Sequence, residues 1–241
     1  MSRIDAKDRL IVALDVPDAE QAKKFVTDLD GIVSFFKVGL ELYTAEGLEL
    51  VRWLQTQGKH VFLDLKFYDV PATVKRAVAR VANLGATFLT VHGSSEVIRA
   101  AVEGKGDSSL KILAVTVLTC MDAADIKELY GTDVSPRALV LSRASKAVEL
   151  GCDGVVASGR EASGIRQATR GGNLVLVTPG IRAATGNVDD HKRAATAANA
   201  IADGSDYLVI GRPIRDAEDR RAAATAFINE MQEAFDTHRK Q

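Results

Sequence analysis

Eight short apolar runs rich in β-branched residues recur along this 241-residue chain, at 10–16, 35–40, 60–65, 88–92, 112–118, 154–158, 174–179 and 207–211. Segments with helical spacing lie between them, such as 19–29, 45–57, 72–84, 137–150 and 192–202, and several close on glycine, as helix C-termini prefer. Strands alternating with helices predict a parallel sheet. Right-handed crossovers either close such a sheet into a (β/α)8 barrel or leave it open and doubly wound. Eight strands in this length favour the TIM barrel, and no GxGxxG follows the first strand, which weighs against an open dinucleotide-binding sheet. No linker or composition shift divides the chain, so residues 1–241 are expected to form a single α/β barrel domain. The longer connection 118–136 should carry a short helix of its own.

Charge narrows the partners. The formal net charge is -1, with acidic and basic residues interspersed, which leaves no basic stripe for nucleic acid and no polybasic membrane anchor. Any anion site must be local. The first residues lack a signal-peptide pattern, and no apolar run approaches the roughly 18 residues of a membrane span, so a soluble cytoplasmic protein is expected. Cys120 and Cys152 are too few and too far apart for a disulfide framework or a CxxC metal site, and both read as reduced and structural.

The stretch from His60 to Thr73, HVFLDLKFYDVPAT, carries the strongest chemical signal. An apolar strand takes on charge at Asp64, Lys66 and Asp69 before Pro71 opens a helix. Strand alternation puts Phe62, Asp64 and Lys66 on one face and Leu63 and Leu65 on the other. Holding a carboxylate and an ammonium there costs desolvation energy, whereas a surface salt bridge returns only about 0 to 1 kcal/mol. Charges kept in a cleft against that cost are candidates for function.

In a (β/α)8 barrel the reactive groups sit at the C-terminal ends of the strands. Asp15, Lys37, the Asp64/Lys66 pair, His92, Thr119, Ser158, Pro179 with Gly180, and Gly211 with Arg212 occupy those ends in order. Three adjacent strands thus converge two lysines and two carboxylates. Singly, Asp15 could cap the helix after Pro17 and Lys37 could snorkel from the barrel mouth; His92 and Cys120 read as packing or hydrogen-bonding residues. Gly211 and Arg212 open the last helix, and Arg182 stands nearby, so backbone N–H groups and guanidinium groups can hold a phosphate there. The segment 183–189 is long enough to fold over a ligand, and a phosphorylated small molecule is the natural occupant.

These residues resemble a known family. Asp64, Lys66, Asp69, Pro71 and Thr73 fit the DxKxxDxPxT signature of the orotidine 5'-phosphate decarboxylase family, and LDV at 14–16, FKVGL at 36–40, VTVLT at 115–119, VTPGIR at 177–182 and VIGRPI at 209–214 follow in order and spacing. The resemblance implies cofactor-free and metal-free decarboxylation of orotidine 5'-phosphate to uridine 5'-phosphate in pyrimidine biosynthesis, by a homodimeric barrel with shared active sites. It implies that Asp15 and Lys37 contact the ribose, that Asp64 and Lys66 face the reacting carbon, and that Thr119 holds the pyrimidine. Asp69 and Thr73 would enter from the neighbouring subunit, and Arg182, Gly211 and Arg212 would hold the phosphate. Two positions depart from the family pattern: Asp190-His191 stands where Asp-Gln is usual, which puts His191 at the phosphate, and Ala183 replaces a proline.

The cluster fits this chemistry on physical grounds as well. Losing CO2 from a ring carbon leaves a carbanion, which needs a nearby cation and a proton donor, and Lys66 can be both. Three competing readings share parts of this pattern. A related DxKxxD cluster serves metal-dependent sugar-phosphate enzymes of the same barrel superfamily; a class I aldolase would use a strand-end lysine as a Schiff base; and a non-catalytic barrel could merely bind a phosphorylated ligand.

Overall fold

The protein is described by a computed structural model covering residues 5–170, 173–182 and 195–238. Eight strands form a closed parallel barrel: β1 (Leu10–Ala13), β2 (Phe35–Gly39), β3 (His60–Phe67), β4 (Phe88–His92), β5 (Lys111–Val115), β6 (Gly154–Val156), β7 (Val175–Pro179) and β10 (Tyr207–Ile210). They pair in chain order, and β10 closes the ring between β7 and β1. Beyond β7, β8 (Ile181–Arg182) and β9 (Ala195–Thr196) make a two-stranded parallel ribbon at the mouth.

Around the barrel run α1 (Ala19–Asp28), α2 (Leu40–Thr56), α3 (Pro71–Asn83), α4 (Ser95–Lys105), α5 (Ala123–Tyr130), α6 (Pro136–Glu149), α7 (Ala162–Ala168), α8 (Ala197–Ala202), α9 (Arg212–Arg215) and α10 (Arg220–His238). Local chemistry sets their starts. The Asp18 carboxylate accepts the Gln21 N–H and caps α1, Asp122 and Asp125 form a capping box on α5, and Pro71 and Pro136 stand in the first turns of α3 and α6. The expected helix at 45–57 is the second part of α2, which bends at Gly47, a residue with φ 58 that a side chain would resist. The short helix expected within 118–136 is α5. The helix expected at 192–202 is corrected: Ala195 and Thr196 pair with β8, and α8 begins only at Ala197, after Thr196 caps it. Helical spacing could not reveal a two-residue ribbon whose paired residues lie fourteen positions upstream.

Alternation within the strands builds two apolar layers. Ile11, Ala13, Phe35, Phe62, Phe88, Leu113, Val177 and Val209 fill the barrel, and the residues between them pack outward against the helices. Phe88 lies at the centre of this plug, 5.1 Å from the Phe35 ring and 5.1 Å from Tyr207. Burying each such ring is worth about 1.5–3 kcal/mol, and the plug closes the barrel below its C-terminal mouth. Among the described residues, no helix is long and apolar enough to cross a membrane.

Candidate active site

A cavity of about 200 Å3 opens at the C-terminal mouth, directly above Phe62. Lys37, Asp64 and Lys66 form its charged side, Val115, Val117, Val156 and Val209 its apolar side, and Thr119 and Pro179 also line it. A larger hollow of about 590 Å3 lies at the opposite end, around Arg9, Arg166 and Tyr207. There Arg166 is already engaged by Asp206 and two backbone carbonyls, and Arg9 lies over the Tyr207 ring. Size is therefore a poor guide to the site; the charge array and the strand C-termini point to the smaller cavity.

The four charged residues gathered from the sequence form one alternating row. Lys37 Nζ donates to Asp15 Oδ1 at 2.9 Å and lies 3.9 Å from Asp64 Oδ2, while Lys66 Nζ donates to Asp64 Oδ1 at 2.8 Å. Lys37 is 8 % exposed, so its ammonium reaches inward and does not snorkel out. Gly39 makes room for it, because a Cβ there would lie 3.0 Å from Lys37 Nζ. Asp15 is not the cap of α1, a task performed by Asp18, and its carboxylate is left for the lysine.

Phe62 and Asp64 share the inner face, as alternation requires, but Lys66 arrives by a different route. Leu63 is paired with Leu89 and Phe67 with Val91, so four steps along β3 match two along β4 and the strand bulges at the site. Lys66 adopts φ 48, a left-handed conformation that costs a lysine about 1–2 kcal/mol. Asp64 and Lys66 thus face one space, as read from the sequence, but a bulge and not simple alternation aims Lys66 at Asp64. Thr90, missed in the sequence, stands opposite this bulge. Its hydroxyl donates to Asp64 Oδ1 at 3.0 Å and accepts the Lys66 backbone N–H at 3.0 Å. Alternation from Phe88 puts Thr90 inside the barrel, and a polar residue at an interior position was the available signal.

Other expected residues fall around the rim. Asp69 is exposed, accepts the Val70 N–H at 2.6 Å, and makes no ion pair with Lys66 of its own chain; Thr73 follows in the first turn of α3. Arg182 lies in β8, and Gly211 and Arg212 open α9. That helix has only four residues, so its dipole contributes little and any phosphate hold must come mainly from guanidinium groups. His191 and the segment 183–189 lie outside the described residues. Ser158 is buried and bonded to Glu161, a capping role. Cys152 is buried, its thiol raised to about 11 chiefly by desolvation, and is structural; Cys120 is exposed, which corrects the structural expectation for it.

A second hollow of about 320 Å3 runs from Lys66 past Tyr68 and His92 to Leu129 and Tyr130. Tyr68 stacks on His92 with ring centroids 4.2 Å apart. Burial first, and the Arg143 guanidinium second, push the His92 pKa below the usual histidine value, and its Nδ1 has no hydrogen-bond partner among the described residues. His92 is therefore a packing residue. Among the described residues, no group of three or more His, Cys, Asp or Glu side chains is arranged to hold a metal ion.

A closed parallel barrel with a lysine–carboxylate row at its C-terminal mouth is an enzyme of the (β/α)8 class. More particularly, the chain belongs to the Orotidine 5'-phosphate decarboxylase / HUMPS family, whose model matches residues 8–227. It is 52% identical over 230 residues to the orotidine 5'-phosphate decarboxylase of Nitrobacter winogradskyi, covering 95% of each chain. It is 50% identical over 228 residues to that of Rhodopseudomonas palustris, covering 95% of this chain and 96% of the relative. The crystal structure of orotidine 5'-phosphate decarboxylase from Lactobacillus acidophilus superposes with a TM-score of 0.82 at 36% identity, over 93% of this chain and 99% of that one.

Proposed function

We propose that the protein decarboxylates orotidine 5'-phosphate to uridine 5'-phosphate and CO2, as a step of pyrimidine biosynthesis in the cytoplasm, with Lys66 as cation and proton donor. The observation that carries this reading is the Asp15–Lys37–Asp64–Lys66 row facing a small apolar cavity. Relatives about half identical over nearly the whole chain, all named for this reaction, favour it over the sugar-phosphate branch of the family.

The chemistry follows from the charges. The substrate carboxylate would sit beside Asp64, and like charges about 4 Å apart at an effective dielectric near 20 repel by about 4 kcal/mol. Breaking the carbon–carbon bond releases CO2 and leaves its electron pair on the ring carbon. Lys66 Nζ stabilises that pair and gives it a proton, and solvent then reprotonates the amine. Repulsion alone is too small for enzymatic accelerations that lower barriers by up to about 23 kcal/mol, so carbanion stabilisation and remote phosphate binding must supply most of the effect. In this reading Asp15 and Lys37 hold the ribose, Thr119 the pyrimidine, and Arg182, Gly211, Arg212 and His191 the phosphate.

The proposed assembly is a homodimer with shared sites, in which Asp69 and Thr73 act on the partner's substrate. Its support is the apolar surface flanking Asp69: Tyr68 is 69% exposed, Val70 63% and Leu129 64%. Such a cluster at a cavity rim is a surface that a partner would cover.

Two measurements test the reading. Purified protein in metal-free buffer should consume orotidylate, seen as loss of its absorbance, at a rate EDTA leaves unchanged. No loss of orotidylate, together with EDTA-sensitive turnover of a keto-acid or hexulose phosphate, would transfer the chain to the sugar-phosphate branch. Arg212→Ala should lower kcat/KM for the phosphorylated substrate by roughly 10- to 100-fold, as loss of a charge-assisted contact does, and hardly change it for the bare nucleoside. Equal losses on both substrates would remove Arg212 from the phosphate site.

A further inference from the structure

We propose that Thr90 is a positioning residue that holds the Asp64–Lys66 pair in its reactive geometry, an inference that rests on the proposed decarboxylation. Between the matched pairs Leu63/Leu89 and Phe67/Val91, Thr90 is the one residue of β4 opposite three residues of β3, Asp64, Leu65 and Lys66, so the bulge holds two extra residues. It is completely buried. Where the strand ladder fails, its hydroxyl supplies the acceptor that the Lys66 backbone N–H requires.

The polarity of this hydroxyl is forced. A backbone N–H can only donate and an ionised carboxylate can only accept, so the single Thr90 proton must go to Asp64 and its lone pair to Lys66. Thr90 therefore clamps both partners at once. At Asp64 it shares Oδ1 with Lys66 Nζ, which fixes the carboxylate orientation and leaves Oδ2 on the side of Lys37. At Lys66 it pins the left-handed backbone from which the side chain reaches the cavity. Without the hydroxyl, the backbone of Lys66 has reason to relax towards an ordinary φ, and relaxation swings the ammonium away from the reacting carbon. Thr90 lies behind the pair and is not among the residues lining the cavity, so it acts through them and not on the substrate.

A hydroxyl that merely satisfied a bulge would affect stability and spare turnover. A positioning hydroxyl affects the step in which the proton is delivered. Thr90→Val keeps the shape and removes the hydroxyl; misplacing a reacting group by about 1 Å can cost about 100-fold, so kcat is expected to fall by about 30-fold or more. KM and uridine 5'-phosphate affinity should stay within about threefold, since ground-state binding does not need the aligned proton. Thr90→Ser, which keeps the hydroxyl, should recover most of the loss. Thr90→Ala decides the same point if the valine variant does not fold. A folded Val or Ala variant with more than a third of wild-type kcat, or a Ser variant as impaired as Val, overturns the inference alone. A wild-type protein inactive on orotidylate overturns the functional reading and this inference with it.

Discussion

Lys66→Ala is expected to abolish orotidylate turnover while leaving the fold and product binding largely intact. Loss of a general acid typically costs 100- to 10,000-fold and loss of one stabilising donor at a developing charge about 100- to 1,000-fold; because one ammonium performs both tasks these do not simply add, and at least about a thousandfold loss in kcat is expected. The fold should tolerate the change. Asp64 keeps the Thr90 hydroxyl at 3.0 Å and Lys37 at 3.9 Å, so its carboxylate is not stranded without a counter-charge. Alanine at φ 48 inherits the backbone strain but adds little to it. Steady-state turnover, uridine 5'-phosphate titration and thermal unfolding measured together provide the check. A variant that keeps more than a tenth of wild-type kcat would show that the proton and the cation come from elsewhere.

The second large effect concerns the origin of Asp69. Among the described residues of its own chain Asp69 makes no salt bridge with a lysine: it is exposed, its carboxylate accepts the neighbouring Val70 N–H, and Lys66 turns to Asp64 instead. If Asp69 completes the site of a two-fold-related partner, Lys66→Ala and Asp69→Ala should each be inactive as pure proteins. When equal amounts are mixed and subunits exchange, half of the dimers are mixed, and each mixed dimer has one site with both defects and one with neither. About a quarter of wild-type activity per site should then return under random pairing. Native mass measurement establishes whether exchange has occurred. Exchange without returning activity would mean that Asp69 serves its own chain.

The rhythm of β-branched runs and helical spacers was enough to predict a closed parallel barrel, because periodicity and element count are local properties. Side-chain order at the strand ends likewise revealed Asp15, Lys37, Asp64 and Lys66 as one group, since a barrel brings consecutive strand termini to one mouth. Their mutual geometry was not local. The bulge opposite Thr90 depends on how β3 and β4 register against each other, and the left-handed backbone of Lys66 persists where that register and the hydroxyl hold it. The β8–β9 ribbon was hidden for a related reason: its two strands are too short to show a period, and they exist only because the chain returns to pair. The sequence left Asp15 open between a helix cap and the charged group; Asp18, directly before the α1 start that the spacing placed at residue 19, takes the cap, and Asp15 goes to Lys37. The residue types thus determined the barrel and the chemistry at its mouth, whereas pairing between distant strands decided where each charge points.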